Sequence, residues 1–125
     1  MEVKEKVKFW AEEARQSLKV ADDLFGLKHY LETLFYCHLA LERLLKSKVV
    51  EATQKDPLHT HDLVKLSEKA NLKLTDEQIM QLAKINTYNI RTRYQDYKLS
   101  LYKQATQEFT KNEIVQTKKL FSKLK

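Results

Sequence analysis

The residues best equipped for chemistry in this 125-residue chain lie in one short stretch, Asn86 to Lys98, which reads NTYNIRTRYQDYK. Two arginines, three tyrosines and an aspartate fall within the eleven residues from Tyr88 to Lys98. A guanidinium group makes paired hydrogen bonds to phosphate oxygens, and a phenol ring offers a stacking face with a polar tip. Arg91, Arg93, Tyr94, Asp96 and Tyr97 are therefore the candidates for contact with a nucleotide, an RNA or a partner protein. The same residues also admit a structural role, with Arg91 or Arg93 ion-paired to Asp62, Glu42 or Asp96 and the tyrosines packed half-buried. On an ideal helix, at ~100° per residue, the two arginines stand roughly 200° apart and cannot both face one cleft unless the helix ends between them. One of the two is expected to be structural.

Other candidate groups are sparser. His59 and His61 are one residue apart, as the start of a metal site would be, but zinc needs further ligands and only Cys37 and His38 remain as soft donors. An imidazole near a helix start, followed by Asp62 at the favourable end of the helix dipole, explains the pair without a metal, and none is expected. Glu42 and Lys46 are four apart on one helix, an intrahelical or solvated pair. Cys37 is the single cysteine and shares an apolar stripe with Leu34, His38 and Leu41, as a buried structural thiol does. Asp22 and Asp23 are consecutive and read as surface charge. No glycine-rich phosphate loop, nucleophile motif or zinc-binding His-Glu-x-x-His is present, so no cofactor is expected.

The elements that must position these groups read as helices. One Gly and one Pro in the whole chain leave almost no turn punctuation for a sheet protein, which favours an all-α fold. Val3, Val7, Trp10, Ala14, Leu18, Ala21 and Phe25 recur at steps of three and four, predicting a long helix that Gly26 ends. Leu31, Leu34, Cys37, His38, Leu41, Leu45 and Val49 predict a second, and the short link makes the two antiparallel neighbours. Residues 52 to 60 hold the lone Pro57 and read as a loop. A short helix follows, with Leu63 and Leu66 inward and Thr60 as its cap. Thr75 to Gln78 matches a capping box, and Ile79, Leu82, Ile85 and Ile90 carry that helix toward Arg91. Tyr97 to Ala105 is read as helix. A second capping box at Thr110 to Glu113 starts the last helix, with Ile114, Phe121 and Leu124 inward.

Length and charge bound the rest. The chain has the size of a single domain, residues 1–125, with one core. Its formal charge of +6 is uneven: residues 97 to 125 carry seven lysines against Glu108 and Glu113, a local +5, whereas residues 1 to 96 hold sixteen basic and fifteen acidic side chains. A polyanion is drawn to such a basic end, and a merely solvated lysine face has the same composition. The single cysteine, the lack of an apolar run of ~18 residues and the polar N-terminus predict a cytoplasmic protein with no membrane segment.

Taken with the run Ala40 to Lys46 (ALERLLK) and the step His61-Asp62-Leu63, the Arg91 segment resembles the HEPN family, the nucleotide-binding helical domain of higher eukaryotes and prokaryotes. The likeness runs from Trp10 to the short basic last helix and rests on order and spacing. It implies an up-and-down bundle of four or five helices, a homodimer, and a nucleotide- or RNA-binding role, in some members as accessory to a minimal nucleotidyltransferase in a toxin–antitoxin-like pair. It also implies supporting roles for Glu42 and His61 near the arginine-bearing helix. Many HEPN proteins are ribonucleases with four to six residues between a key arginine and its histidine. Here Asp96, Tyr97 and Lys98 follow Arg91 at that distance, and Lys98, Leu99 and Ser100 follow Arg93. The binding role is thus expected ahead of catalysis, with a metal-independent ribonuclease toxin or a purely structural interaction bundle as the alternatives.

Overall fold

The computed structural model describes residues 1–125 as six α-helices and one 3-10 turn, without a β-strand. Helix α1 (Val3–Gly26) and helix α2 (Tyr30–Thr53) have 24 residues each, about 36 Å at 1.5 Å per residue, and form a hairpin. The reversal is tight because the amides of Leu27, Lys28 and His29 all bond back to carbonyls of Asp23, Phe25 and Leu24 at 2.9–3.2 Å. Gly26 is the last helical residue, and it is Lys28, at φ 66°, that takes the left-handed conformation.

Helix α2 runs through the middle and packs against every other helix. Its buried residues therefore go nearly all the way round, from Leu34, Leu41 and Leu45 to Cys37, His38 and Glu42. Trp10 of α1 is half-buried and lies under the Lys46 ammonium, 5.4 Å from the ring centroid. Cys37 is fully buried, and burial pushes its thiol up to about 12, beyond use as a nucleophile. Phe35, Leu41 and Ile85 are buried within the chain's own core. The large apolar side chains left exposed are others, among them Phe9, Leu27, Met80, Tyr94, Leu99 and Tyr102.

After the Pro57 loop comes α3 (Leu63–Lys69), capped by Asp62, whose carboxylate accepts from the amides of Val64 and Lys65. Thr60 does not cap this helix. Its hydroxyl accepts from the Asp62 amide instead, because the helix begins two residues later than a Thr60 cap requires. Helix α4 (Asp76–Asn86) starts with the expected Thr75–Gln78 box, the Thr hydroxyl and the Gln carboxamide each accepting a backbone amide.

Helix α4 does not continue to Ile90. It stops at Asn86, and the amides of Thr87 and Tyr88 fall back to i−3 carbonyls. Two side chains hold that ending. Asn86 bonds the start of α3, and Tyr88 is buried, donating its hydroxyl to Glu113 at 2.6 Å. The chain then makes one 3-10 turn at Ile90–Thr92, turns extended at Arg93, and enters α5 (Gln95–Gln104).

The last helix, α6 (Gln107–Leu124), begins one turn before the Thr110 box predicts. Thr106 is its cap, accepting from Phe109, so Thr110 and Glu113 fall inside the helix and are buried. Glu113 is drawn inward by its partners, the Tyr88 hydroxyl and, at 3.1 Å, the Lys84 ammonium. Ile114, Phe121 and Leu124 face the core as expected.

Candidate functional site

The site is built outward from Glu42, a buried carboxylate at the middle of α2. Its Oε2 accepts from Lys46 Nζ at 2.9 Å, one turn along the same helix, so the pair is intrahelical but shielded from water. Both oxygens lie 3.1–3.2 Å from Nδ1 of His61, which stands just ahead of α3. A carboxylate can only accept, so the imidazole carries its proton on Nδ1 and leaves Nε2 open. His38, one turn before Glu42, donates from Nε2 to the His61 carbonyl at 2.9 Å. That fixes its tautomer and leaves its Nδ1 without a partner, 3.7 Å from the Glu42 carboxylate. Burial lowers the His38 pKa, outweighing the carbonyl hydrogen bond and the nearby Glu42 charge, so His38 is neutral.

The wall opposite comes from the end of α4 and the segment after it. Asn86 clips the two walls together: its Oδ1 accepts from the Leu63 amide at 2.8 Å and its Nδ2 donates to Asp62 at 2.9 Å. Arg93 reaches across with Nη2 3.4 Å from the Asn86 carbonyl while its guanidinium lies 5.0 Å from the centre of the Tyr97 ring. Between the walls is a cleft of about 250 Å³ lined by His61, Asp62, Asn86, Asn89, Thr92 and Arg93, with no apolar side chain. Asn89 is only 7% exposed, and its carboxamide makes no hydrogen bond within the chain.

Of the sequence candidates, the fold brings Arg93, Glu42 and His61 together. Arg91 goes elsewhere, its guanidinium 4.8 Å above the Phe35 ring. The separation follows from the 3-10 turn: Arg91 sits inside it and Arg93 just past it, in extended backbone. Neither arginine lies within ion-pair distance of Asp62, Glu42 or Asp96, or of any other carboxylate. The reason is prior engagement. Asp62 caps α3, Glu42 holds Lys46 and His61, and Asp96 accepts from the Tyr97 amide in the first turn of α5. Tyr97 is half-buried and donates to the Thr87 carbonyl at 3.1 Å, bracing the segment. Tyr94 begins α5 outside the cleft, 86% exposed and free to stack.

Asn86, Asn89 and Thr92 belong to the arrangement and were not singled out by residue type, whereas His38 and Lys46, which also belong to it, were read only as a soft donor and as the i+4 partner of Glu42. Asn86, Asn89 and Thr92 recur every three residues inside the Arg91 stretch, and that spacing is the signal that marks them. The C-terminal lysines do not line this cleft. Lys118, Lys119 and Lys123 border a separate groove of about 710 Å³ with Thr75 and Gln78 at the opposite end of α4, about 16 Å away along an 11-residue helix. No group of three or more His, Cys, Asp or Glu side chains is placed to hold a metal ion, and no helix is long and apolar enough to cross a membrane.

Residues 7–125 match the HEPN domain family. The chain belongs to the HEPN family. Its fold is similar to that in the crystal structure of TT1696 from Thermus thermophilus, with a TM-score of 0.77 over 95% of each chain at 20% sequence identity. No curated protein matches it. In this HEPN domain neither residues 96–98 after Arg91 nor residues 98–100 after Arg93 include a histidine, and the imidazole that shares the cleft with Arg93 is His61, delivered from the segment ahead of α3 and steadied by a buried carboxylate. An arginine, an imidazole and an unpaired carboxamide in a polar cleft can bind an oxyanion and hold or release one proton.

Proposed function

We propose that this HEPN domain is a nucleotide- or RNA-binding module whose contact residue is Arg93. Arg91 is its structural counterpart, pinned over Phe35. The observation that carries this reading is the polar cleft itself, where Arg93, Asn89 and His61 converge and no carboxylate is paired to the arginine. Tyr94 beside it supplies a ring for a base, and stacking of that kind contributes ~1–3 kcal/mol per base.

Titration of a short single-stranded RNA and of a mononucleotide at several salt concentrations tests this. Arg93→Ala is expected to weaken binding roughly tenfold and to reduce the salt slope by about one phosphate contact. Arg91→Ala should leave both nearly unchanged. Equal binding by Arg93→Ala and the parent protein would remove the reading.

Within the same proposal the domain is a cytoplasmic homodimer, supported by Leu99 and Tyr102, which lie exposed three residues apart on α5 next to Tyr94. Membership of the HEPN family, some of whose members accompany a minimal nucleotidyltransferase, is the ground for proposing an accessory role beside such a partner. A second reading, cleavage of the RNA phosphodiester, is favoured by one observation: the carboxylate-held His61 shares the cleft with Arg93. Under it, cleavage of single-stranded RNA must disappear in both His61→Ala and Arg93→Ala. Under the binding reading, no cleavage above that of the double variant is expected.

A further inference from the structure

Resting on the proposal that Arg93 binds nucleotides, we infer that the cleft is a site for a phosphate monoester, ligated by Arg93, Asn89 and His61, and that the phosphate enters together with one proton on His61.

Asn89 marks the place. Its carboxamide lines the cleft and bonds to nothing in the chain, and it is not among the polar atoms cut off from solvent, so its donor and acceptor are free for a ligand to take up. The absence of any apolar lining and the volume of about 250 Å³ make this a pocket for an oxyanion rather than for a base. A base attached to that phosphate has Tyr94 outside the cleft to lie against.

The charges around the cleft decide which oxyanion. From α2 come Glu42, negative, Lys46, positive, and His38, neutral by burial; from the start of α3 comes Asp62, negative; from the segment before α5 comes Arg93, positive. With a neutral His61 these cancel, since two positive groups meet two negative ones. Protonation of His61 leaves the cleft with one net positive charge and two cations, Arg93 and the imidazolium, that can both donate to the ligand. A doubly charged monoester matches that pair better than a singly charged diester does. Glu42 makes the proton tenable, because its carboxylate already accepts from Nδ1 and would face the cation formed when Nε2 is protonated.

The signature is a bell-shaped pH dependence. Acid favours the imidazolium, whereas a phosphate monoester loses its second proton only above about pH 6, so the binding pair of imidazolium and dianion is depleted on both sides of an intermediate range. Affinity should therefore fall severalfold toward pH 8 and toward pH 5.

Calorimetric titration with adenosine 5′-monophosphate from pH 5 to 8.5 at fixed ionic strength, in buffers of different ionisation enthalpy, reads both affinity and proton uptake. Adenosine 3′,5′-cyclic monophosphate, a diester with the same base, and adenosine alone are the comparison ligands. The parent protein should give the bell and take up close to one proton on the alkaline limb. His61→Gln, at a side chain 62% exposed and hence outside the core, should fold normally and lose that limb. Asn89→Ser should weaken binding across the whole range. The cyclic diester should bind more weakly and without the bell.

Binding that depends on Arg93 but not on pH, an alkaline limb that persists in His61→Gln, or equal affinity for the cyclic diester would overturn the proton-coupled monoester site while leaving the nucleotide-binding proposal standing. No binding of any nucleotide at any pH, or binding indifferent to Arg93→Ala, would instead bring down both.

Discussion

Tyr88→Phe removes one oxygen atom, and the structure sets what that should cost. The hydroxyl donates to Glu113 Oε1 at 2.6 Å in a place where both residues are buried, the length of a charge-assisted O–H···O⁻ bond. Burial, reinforced by this hydrogen bond to Glu113, raises the Tyr88 pKa far above the usual phenol range, so the hydroxyl keeps its proton and remains the donor. A hydrogen bond to a charged group contributes about 1.5–3 kcal/mol. The loss is not fully absorbed by Lys84, the other partner of Glu113, because Lys84 is already bonded there at 3.1 Å and is more than half exposed. Taking ~2 kcal/mol and an unfolding entropy of ~2.1 cal/mol/K per residue, the midpoint should drop on the order of 8 °C. Urea unfolding should show a lower midpoint with an unchanged slope.

The substitution also tests the site, since Tyr88 anchors the chain between the end of α4 and Asn89. A double-mutant cycle with Glu113→Gln separates the bond from the ring. Against the neutral amide, Tyr88→Phe should cost only ~0.5–1.5 kcal/mol. A loss below ~0.5 kcal/mol in the parent background, or an equal loss in both backgrounds, would refute the account of how α4 is ended.

Three further outcomes are expected. His38 has a native pKa below the ordinary 6.5, so the unfolded chain takes up a proton there at higher pH than the native one does. Its contribution to stability is complete above about pH 6.5 and is lost as pH falls below it, and His38→Gln should flatten the difference between urea midpoints at pH 7.5 and 5. Gln54 closes α2 at φ 62°, where a side chain is strained, and Gln54→Gly should raise stability by about 0.5–1 kcal/mol, read as a higher urea midpoint. Leu99→Lys should convert the proposed dimer to monomer in sedimentation at micromolar concentration without loss of helix signal. A parent protein that is already monomeric there would dispose of the dimer.

Much of the scaffold was legible in the chain because helical periodicity is a local property. The stripe from Val3 to Phe25 and the one from Leu31 to Val49 each name their own buried face, and the Thr75 box names its own start. Local signals alone misplaced two helix starts. The box read at Thr110 gave way to Thr106, which puts Glu113 inside the helix as partner for Tyr88 and Lys84. Asp62 displaced Thr60 in the same way, held in place by Asn86 from 24 residues away.

The site divides along the same line. The arginines, tyrosines and His61 could be picked out by what their side chains can do, and an ideal helix already set the two arginines apart, although it is a 3-10 turn followed by extended backbone that separates them. What tertiary structure decided was the partition: Phe35 takes Arg91, the cleft takes Arg93, and Glu42 turns His61 toward it. These are contacts between residues 19 to 56 positions apart, for example Glu42 with His61 and Phe35 with Arg91, and chain order carries no record of them. They exist because α2 passes through the centre of the bundle, so that a carboxylate and a phenyl ring seven residues apart on it, nearly two helical turns, can each meet what the later helices bring.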